Sequence, residues 1–315
     1  MTSALRCSLV PLALALALPL ATSLAGSGAA RAELQVVATL PDLGAVTKAV
    51  GKDLVSVKVL ATPTEDPHFV DPRPSYLVTL SKADLVVFNG LDLEVAWLPP
   101  LLVNARNARI LVGMPGHVDA STFVTRKLQL PSGKVDRSMG DVHPGGNPHF
   151  GYGPEAMSDI ARGVATRLGQ LDGKNAATYK ANADAFVAEL AALASSEKAR
   201  FAALAPGQRK IVVYHDSLVY LVDWLGLTQV ATIEERPGIK PSPGQVASVL
   251  KRIKAEQVRV ILQEEFHPDS TSGTLAKLGQ AKVVKLPGGA RAASATGYLD
   301  YLRQISGSVH DALTR

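Results

Sequence analysis

Leu34-Gln35-Val36-Val37-Ala38-Thr39-Leu40, then Pro41-Asp42, a helical pattern over 43–50, and Val55-Ser56-Val57-Lys58-Val59-Leu60 together decide the fold. Two short β-branched runs flanking one amphipathic segment predict a strand, a crossover helix and a parallel strand. Further along, Leu77 to Leu80 continues into Ser81-Lys82-Ala83-Asp84. Leu85-Val86-Val87-Phe88 then predicts a buried strand closed by Asn89-Gly90. A helical pattern over 97–103 precedes a strand expected over 108–112 (ARILV). Apolar strands alternating with helices indicate a mostly parallel sheet with helices on both faces. Pro74-Ser75 is expected to turn the chain and cap a helix, and Glu94 and Trp97 to serve packing.

The stretch 117–148 breaks this rhythm. Gly, Pro, Ser, Lys and Asp dominate and no periodicity holds, so a long loop is expected, of the kind that carries function or mobility. From 172 to 204 the pattern is helical, with Phe186, Leu190, Leu193, Phe201 and Leu204 on one face and no proline until Pro206-Gly207. Alternation then resumes. Strands are expected at 210–214, 229–232, 258–262 and 282–285, and helices at 218–225, 243–255, 272–279 and 298–313. The predicted fold class is α/β: two Rossmann-like lobes with mostly parallel sheets, at 33–171 and 206–315, joined by one long rigid helix at 172–205.

The 315 residues, 47% hydrophobic and 19% charged, suffice to bury a large core and exclude a disordered chain. The net charge of +5 is scattered, and only 5% of residues are aromatic, so no nucleic-acid partner is expected. Residues 1–32 read as an export signal. Arg6 supplies the positive start, 9–24 is a Leu/Ala/Pro run, and Ala30-Arg31-Ala32 is a small-x-small cleavage site. Cleavage after Ala32 leaves a soluble periplasmic chain with no integral membrane segment. Pro11 and Pro19 interrupt the run, which falls short of the ~20 apolar residues of a span. The single cysteine, Cys7, precedes the run, whereas a lipid-modified cysteine follows one. Neither a disulfide framework nor a cysteine-rich metal site is available.

Three histidines follow strands or close loops. His68 stands in Glu65-Asp66-Pro67-His68-Phe69, His149 in Gly146-Asn147-Pro148-His149-Phe150, and His215 directly before Asp216 at the end of the run 211–214. Both Pro-His-Phe segments are stiffened by proline. Ligands of open α/β sheets bind beyond the carboxyl ends of strands, so two lobes facing one cleft bring the three together. Three neutral imidazoles with an oxygen ligand suit zinc.

Glu65-Asp66-Pro67-His68, Pro74-Ser75, Ala83-Asp84-Leu85-Val86-Val87-Phe88-Asn89-Gly90-Leu91 to Glu94, Asn147-Pro148-His149 and Val213-Tyr214-His215-Asp216 resemble, in order, the zinc/manganese-type substrate-binding proteins of ABC transporters. That resemblance implies two α/β lobes tied by a rigid helix. It also implies a monomeric carrier that captures a transition metal between the lobes for an inner-membrane ABC permease. His68 and His149 are then ligands from the first lobe and His215 a ligand from the second. Manganese-favouring members carry a carboxylate at the third position, so His215 implies Zn(II) as cargo ahead of Mn(II).

Two departures matter. The stretch 121–141, where many zinc members are rich in histidine and aspartate, has only Asp136 and Asp141 as acids and no histidine. The stretch 286–297 (LPGGARAASATG) lacks the aspartate that many members place there. Glu264 matches a family carboxylate position and is the expected fourth ligand, with Glu265 and water as alternatives. His143, close to His149, is read as a mobile-loop histidine, with a ligand or capture residue as the alternative, and His117, His267 and His310 as surface or structural. A zinc hydrolase also uses three histidines and water, but no H-E-x-x-H is present. A metal-binding surface adhesin is the other alternative, left without a lipid-attachment cysteine.

Overall fold

Two four-stranded sheets, both wholly parallel, share one strand order. In the computed structural model, which describes residues 1–4, 33–129, 143–234 and 238–315, the first sheet runs β2-β1-β3-β4 and the second β6-β5-β7-β8. The export segment 5–32, with Cys7, and the loop acids Asp136 and Asp141 lie outside the described residues.

The first sheet contains β1 (Leu34–Ala38), β2 (Val55–Val59), β3 (Leu85–Phe88) and β4 (His117–Asp119). Val36 lies opposite Val57 on one side and Leu85 on the other, so the opening apolar run is the sheet's centre. The second sheet contains β5 (Lys210–Val213), β6 (Thr228–Thr232), β7 (Val260–Glu264) and β8 (Lys282–Leu286), with Ile211 opposite Val260. In each sheet the chain leaves the first strand to one side and later returns to the other. The carboxyl ends of β1 and β3, and of β5 and β7, therefore flank a topological switch point, where such sheets bind ligands.

Around the first sheet lie α1 (Pro41–Gly51), α2 (Pro74–Ser81), α3 (Leu98–Asn104) and α4 (Pro154–Leu171). Around the second lie α6 (Val219–Leu225), α7 (Pro243–Ala255), α8 (Asp269–Gly279) and α9 (Gly297–Thr314). Local chemistry sets the ends. Pro41 opens α1 with Asp42 in its first turn, and Ser242 caps α7 by accepting the Gln245 N–H at 3.1 Å. Gly226, at φ 63°, closes α6 in the left-handed conformation.

The lobes are linked by α5 (Ala176–Ala202), 27 residues and roughly 40 Å long. Tyr179, Ala183, Phe186, Val187, Leu190 and Phe201 form its buried face. Through them one hydrophobic core continues from Leu43 and Ile160 in the first lobe to Ile211 and Tyr298 in the second. Burial of that continuous apolar surface holds the connection rigid. Among the described residues no helix is long and apolar enough to cross a membrane.

Three local expectations are corrected. Residues 108–112 are not a strand. The Asn107 side chain accepts the Arg109 N–H at 3.1 Å and donates to the Leu80 and Ala83 carbonyls at 2.8 and 2.7 Å, winding Ala108–Ile110 into a 3-10 turn. The strand beside β3 is β4, inside the stretch read as loop. Second, the helix expected to start at 172 begins at Ala176. A separate helix, α4, went unread before it, although Ala156, Met157, Ile160, Ala161, Val164, Ala165 and Leu168 are buried at helical spacing. Third, Pro74 and Ser75 lie inside α2, whose N-cap is Arg73 without a side-chain cap bond.

Candidate metal centre

His68 and His149 are presented by the same local device. In Asp66-Pro67-His68 the Asp66 carboxylate accepts the His68 N–H at 3.0 Å, and in Asn147-Pro148-His149 the side-chain amide oxygen of Asn147, Oδ1, accepts the His149 N–H at 2.9 Å. Each is an Asx turn with proline at its centre, so two fixed torsions hold the imidazole before any ligand arrives. The Trp97 indole donates to the Pro67 carbonyl at 2.9 Å, and the Asn89 amide donates to the Pro148 carbonyl at 2.8 Å. Glu94, fully buried, accepts from the Thr39 hydroxyl at 2.6 Å and from the Asn89 and Gly90 N–H groups at 2.7 and 3.1 Å. It thereby fixes the turn that carries Asn89. Position 90 calls for glycine twice over: its φ is 84°, and a Cβ there would meet the Asp119 carboxylate.

His215 arrives from the second lobe, two residues beyond β5. Its Nδ1 is 2.8 Å from Oε2 of Glu234, which follows β6, while His68 Nδ1 is 2.8 Å from Oδ1 of Asp66. A neutral ring that donates from Nδ1 to a carboxylate turns the lone pair of Nε2 the other way, the usual orientation of a metal-binding histidine. Ligand nitrogens of His68, His149 and His215 all lie within 4.8 Å of one another, and all three residues are buried. Their ring centroids are 5.0 Å (His68 to His149), 5.9 Å (His68 to His215) and 5.4 Å (His149 to His215) apart.

The electrostatics suit a cation. Burial, reinforced by the neighbouring histidines, holds the His149 pKa well below its ordinary value, so this imidazole stays neutral and able to ligate. At His215 burial works in the same direction, but the hydrogen bond to Glu234 and the charges of Glu264, Glu234 and Asp216 outweigh it and raise the pKa. Among the described residues, His68 Nε2, His143 Nε2, His267 Nε2 and Glu264 Oε2 are buried with no hydrogen-bond partner. Four orphaned lone-pair atoms around one cluster are costly unless something electrophilic meets them.

Glu264 ends β7 with its side chain wholly buried. One carboxylate oxygen accepts the Ser217 hydroxyl and lies 3.5 Å from the Tyr152 hydroxyl, leaving Oε2 unpaired. Its oxygens fall outside the tight three-histidine group. Glu265 points elsewhere, to Arg291 at 2.9 Å. His117 bonds the Ile110 carbonyl through Nδ1 at 2.9 Å and His310 packs on Phe201, so both are structural. His143 lies in the loop before His149 and stacks on His68 at 5.5 Å between centroids. Of the two alternatives expected for His267, surface or structural, its burial excludes the first: the side chain is largely buried, with its ring 5.8 Å from that of His215. The orienting acids Asp66 and Glu234 were not read from the sequence, although Asp66 stands in the quoted motif.

A family model described as ZnuA, the periplasmic zinc-uptake complex component A, matches residues 36–312. The chain is 27% identical over 256 residues to the manganese ABC transporter substrate-binding lipoprotein scaA of Streptococcus gordonii, covering 78% of this chain and 76% of that one. It is 26% identical over 238 residues to the iron ABC transporter substrate-binding lipoprotein MtsA of Streptococcus pyogenes serotype M1, covering 74% and 73%. A crystal structure of ZnuA superposes with a TM-score of 0.74 at 26% identity, over 90% of this chain and 100% of that one.

Proposed function

The chain belongs to the ZnuA family of metal-binding ABC transporter components, substrate-binding proteins and not enzymes, and from that premise we propose that it captures Zn(II) between its lobes for an inner-membrane permease. The observation that carries the reading is the convergence of His68, His149 and His215 from two lobes, with two of the rings aimed by carboxylates. Three borderline-soft nitrogens favour zinc over manganese by both donor type and the usual divalent order. Relatives are named for manganese and for iron; what favours zinc in this chain is the nitrogen donor that His215 contributes at the third position.

In this reading the ion takes three imidazoles and the free oxygen of Glu264. Two ligands come from the first lobe (33–171) and two from the second (206–315), across the segment 172–205. Loading therefore ties the lobes together, giving the permease a shape to recognise. Residues 1–32, read as an export signal, support a carrier that works in the periplasm with a mature chain beginning at Glu33, and the family supports a monomer.

Metal analysis of protein purified without chelator is the direct test. One zinc per chain is expected, with zinc held more tightly than manganese in competition. His68→Ala, His149→Ala and His215→Ala should each weaken zinc by more than the ~10–100-fold typical of an outer-shell change. Tighter binding of Mn(II), or full zinc affinity in any of the three variants, contradicts the ligand set.

A further inference from the structure

We propose that His267 is a further ligand of the cargo ion, entering its coordination shell beside Glu264. The proposal rests on the capture reading above and extends it to a residue outside the recognised pattern.

His267 lies three residues beyond Glu264 in the turn that leaves β7. Its N–H donates to the Glu264 carbonyl at 3.2 Å, and its own carbonyl accepts from the Gln263 side chain at 2.9 Å. The ring stacks on Tyr214 with centroids 4.4 Å apart and planes 22° from parallel, and Phe266 packs at 4.7 Å. Backbone and aromatic neighbours thus set the ring's direction without any polar partner. Nothing among the described residues hydrogen-bonds to His267 Nε2 or to Glu264 Oε2, and both atoms are buried.

These two orphaned atoms face each other at 3.5 Å. That is long for a hydrogen bond between nitrogen and oxygen, whose usual length is about 2.9 Å. It matches two donors sharing one ion: bonds of about 2.1 Å at the roughly 90–120° angles of a five-donor shell set their ends ~3.0–3.6 Å apart. The imidazole centroid is 5.8 Å from that of His215, and, like the Glu264 oxygens, its nitrogen lies just outside the three imidazoles whose ligand atoms are within 4.8 Å of one another, on the side where the carboxylate enters. One cavity of about 150 Å³ is lined by His68, His149, His215 and His267 together with Ser217 and Glu234.

The consequence is a shell of four imidazoles and one carboxylate, with two imidazoles from each lobe. The second lobe supplies through β7 what the acid-free stretch 286–297 lacks. Zinc accepts a fifth donor, and a nitrogen-rich shell deepens discrimination against manganese.

X-ray absorption on the zinc-loaded protein counts imidazoles directly. Four are expected in the parent and three in His267→Gln, whose zinc affinity should fall by about 10-fold or more in chelator competition. Three imidazoles in the parent, with one zinc bound, overturn this proposal and leave the capture reading standing. A parent that takes up no zinc overturns the capture reading itself. Unchanged imidazole count and affinity in His267→Gln also remove the residue from the shell. The parent count requires no variant, so a failure of His267→Gln to fold does not blunt the test.

Discussion

The carboxylate of Asp42, in the first turn of α1, accepts a 2.7 Å hydrogen bond from the backbone N–H of Ala290, in the loop after β8 of the other lobe. Gly289 lies against the same helix start, where a Cβ would come within 3.2 Å of Asp42 and Pro41. The loop without an acid is therefore docked on an acid from the opposite lobe.

Burial pushes the Asp42 pKa up to about 7, against the opposing effect of the Ala290 hydrogen bond. Below about pH 4 both folded and unfolded chains hold this proton. Between there and pH 7 the unfolded chain ionises first, so stability falls as pH rises, by at most roughly 4 kcal/mol. Glu94, also pushed to about 7 by burial, adds a slope of the same sign. Urea unfolding from pH 4 to 8 should show this decline in the parent and a shallower one in Asp42→Asn, which keeps an acceptor oxygen. An identical slope in the variant would remove Asp42 from the titration.

The acids that aim the imidazoles are expected to matter nearly as much as ligands. Asp66→Asn and Glu234→Gln keep the side-chain shapes but weaken the grip on Nδ1 of His68 and His215. Zinc affinity should fall by ~10–100-fold in each, with thermal stability little changed. Calorimetry giving parental affinity in either variant would show that packing alone orients that ring.

Tyr220 on α6 is a clamp between lobes. Its hydroxyl accepts the Leu128 N–H and donates to the Asn147 carbonyl, both at 3.0 Å, next to the Asx turn that presents His149. Tyr220→Phe leaves both backbone groups without that partner and should cost about 1–3 kcal/mol of stability. Zinc binding should weaken as well, because His149 loses part of its support. A variant as stable as the parent would mean that water replaces the hydroxyl at both groups.

How far the sequence carried the reading follows from the range of each signal. The strands β1, β3, β5 and β7 were legible because a central parallel strand is apolar on both faces, as in Leu85-Val86-Val87-Phe88. β4 was not, because His117-Val118-Asp119 is three residues with polar ends, a strand only by its register on β3. α4 was missed because alanines fill much of its buried face and dilute the periodicity. At the site, the Pro-His-Phe repeat was visible within each segment. The pairing of His215 with Glu234 was not, since it depends on β5 and β6 lying side by side. His267 was set aside because nothing local to Phe266-His267-Pro268 reveals that Tyr214, 53 positions earlier, turns its ring inward.

Glu264 and Glu265 are adjacent acids with opposite fates, and they offer the sharpest test of the carboxylate donor. Successive residues at the end of an extended strand face opposite sides. Glu264 is wholly buried with Oε2 free, while Glu265 is half-buried and paired with Arg291. Glu264→Ala should weaken zinc binding by about 10-fold without abolishing it, because the histidines persist and water enters the vacated position. Glu265→Ala removes a partly exposed ion pair worth at most ~1 kcal/mol and should leave zinc affinity within error of the parent. Parallel chelator competition on the two variants decides the matter. Loss of affinity in Glu265→Ala alone means that the strand's register is shifted by one residue on loading. Parental affinity in both means that the carboxylate serves only Ser217 and Tyr152, and that the oxygen donor of the shell is water.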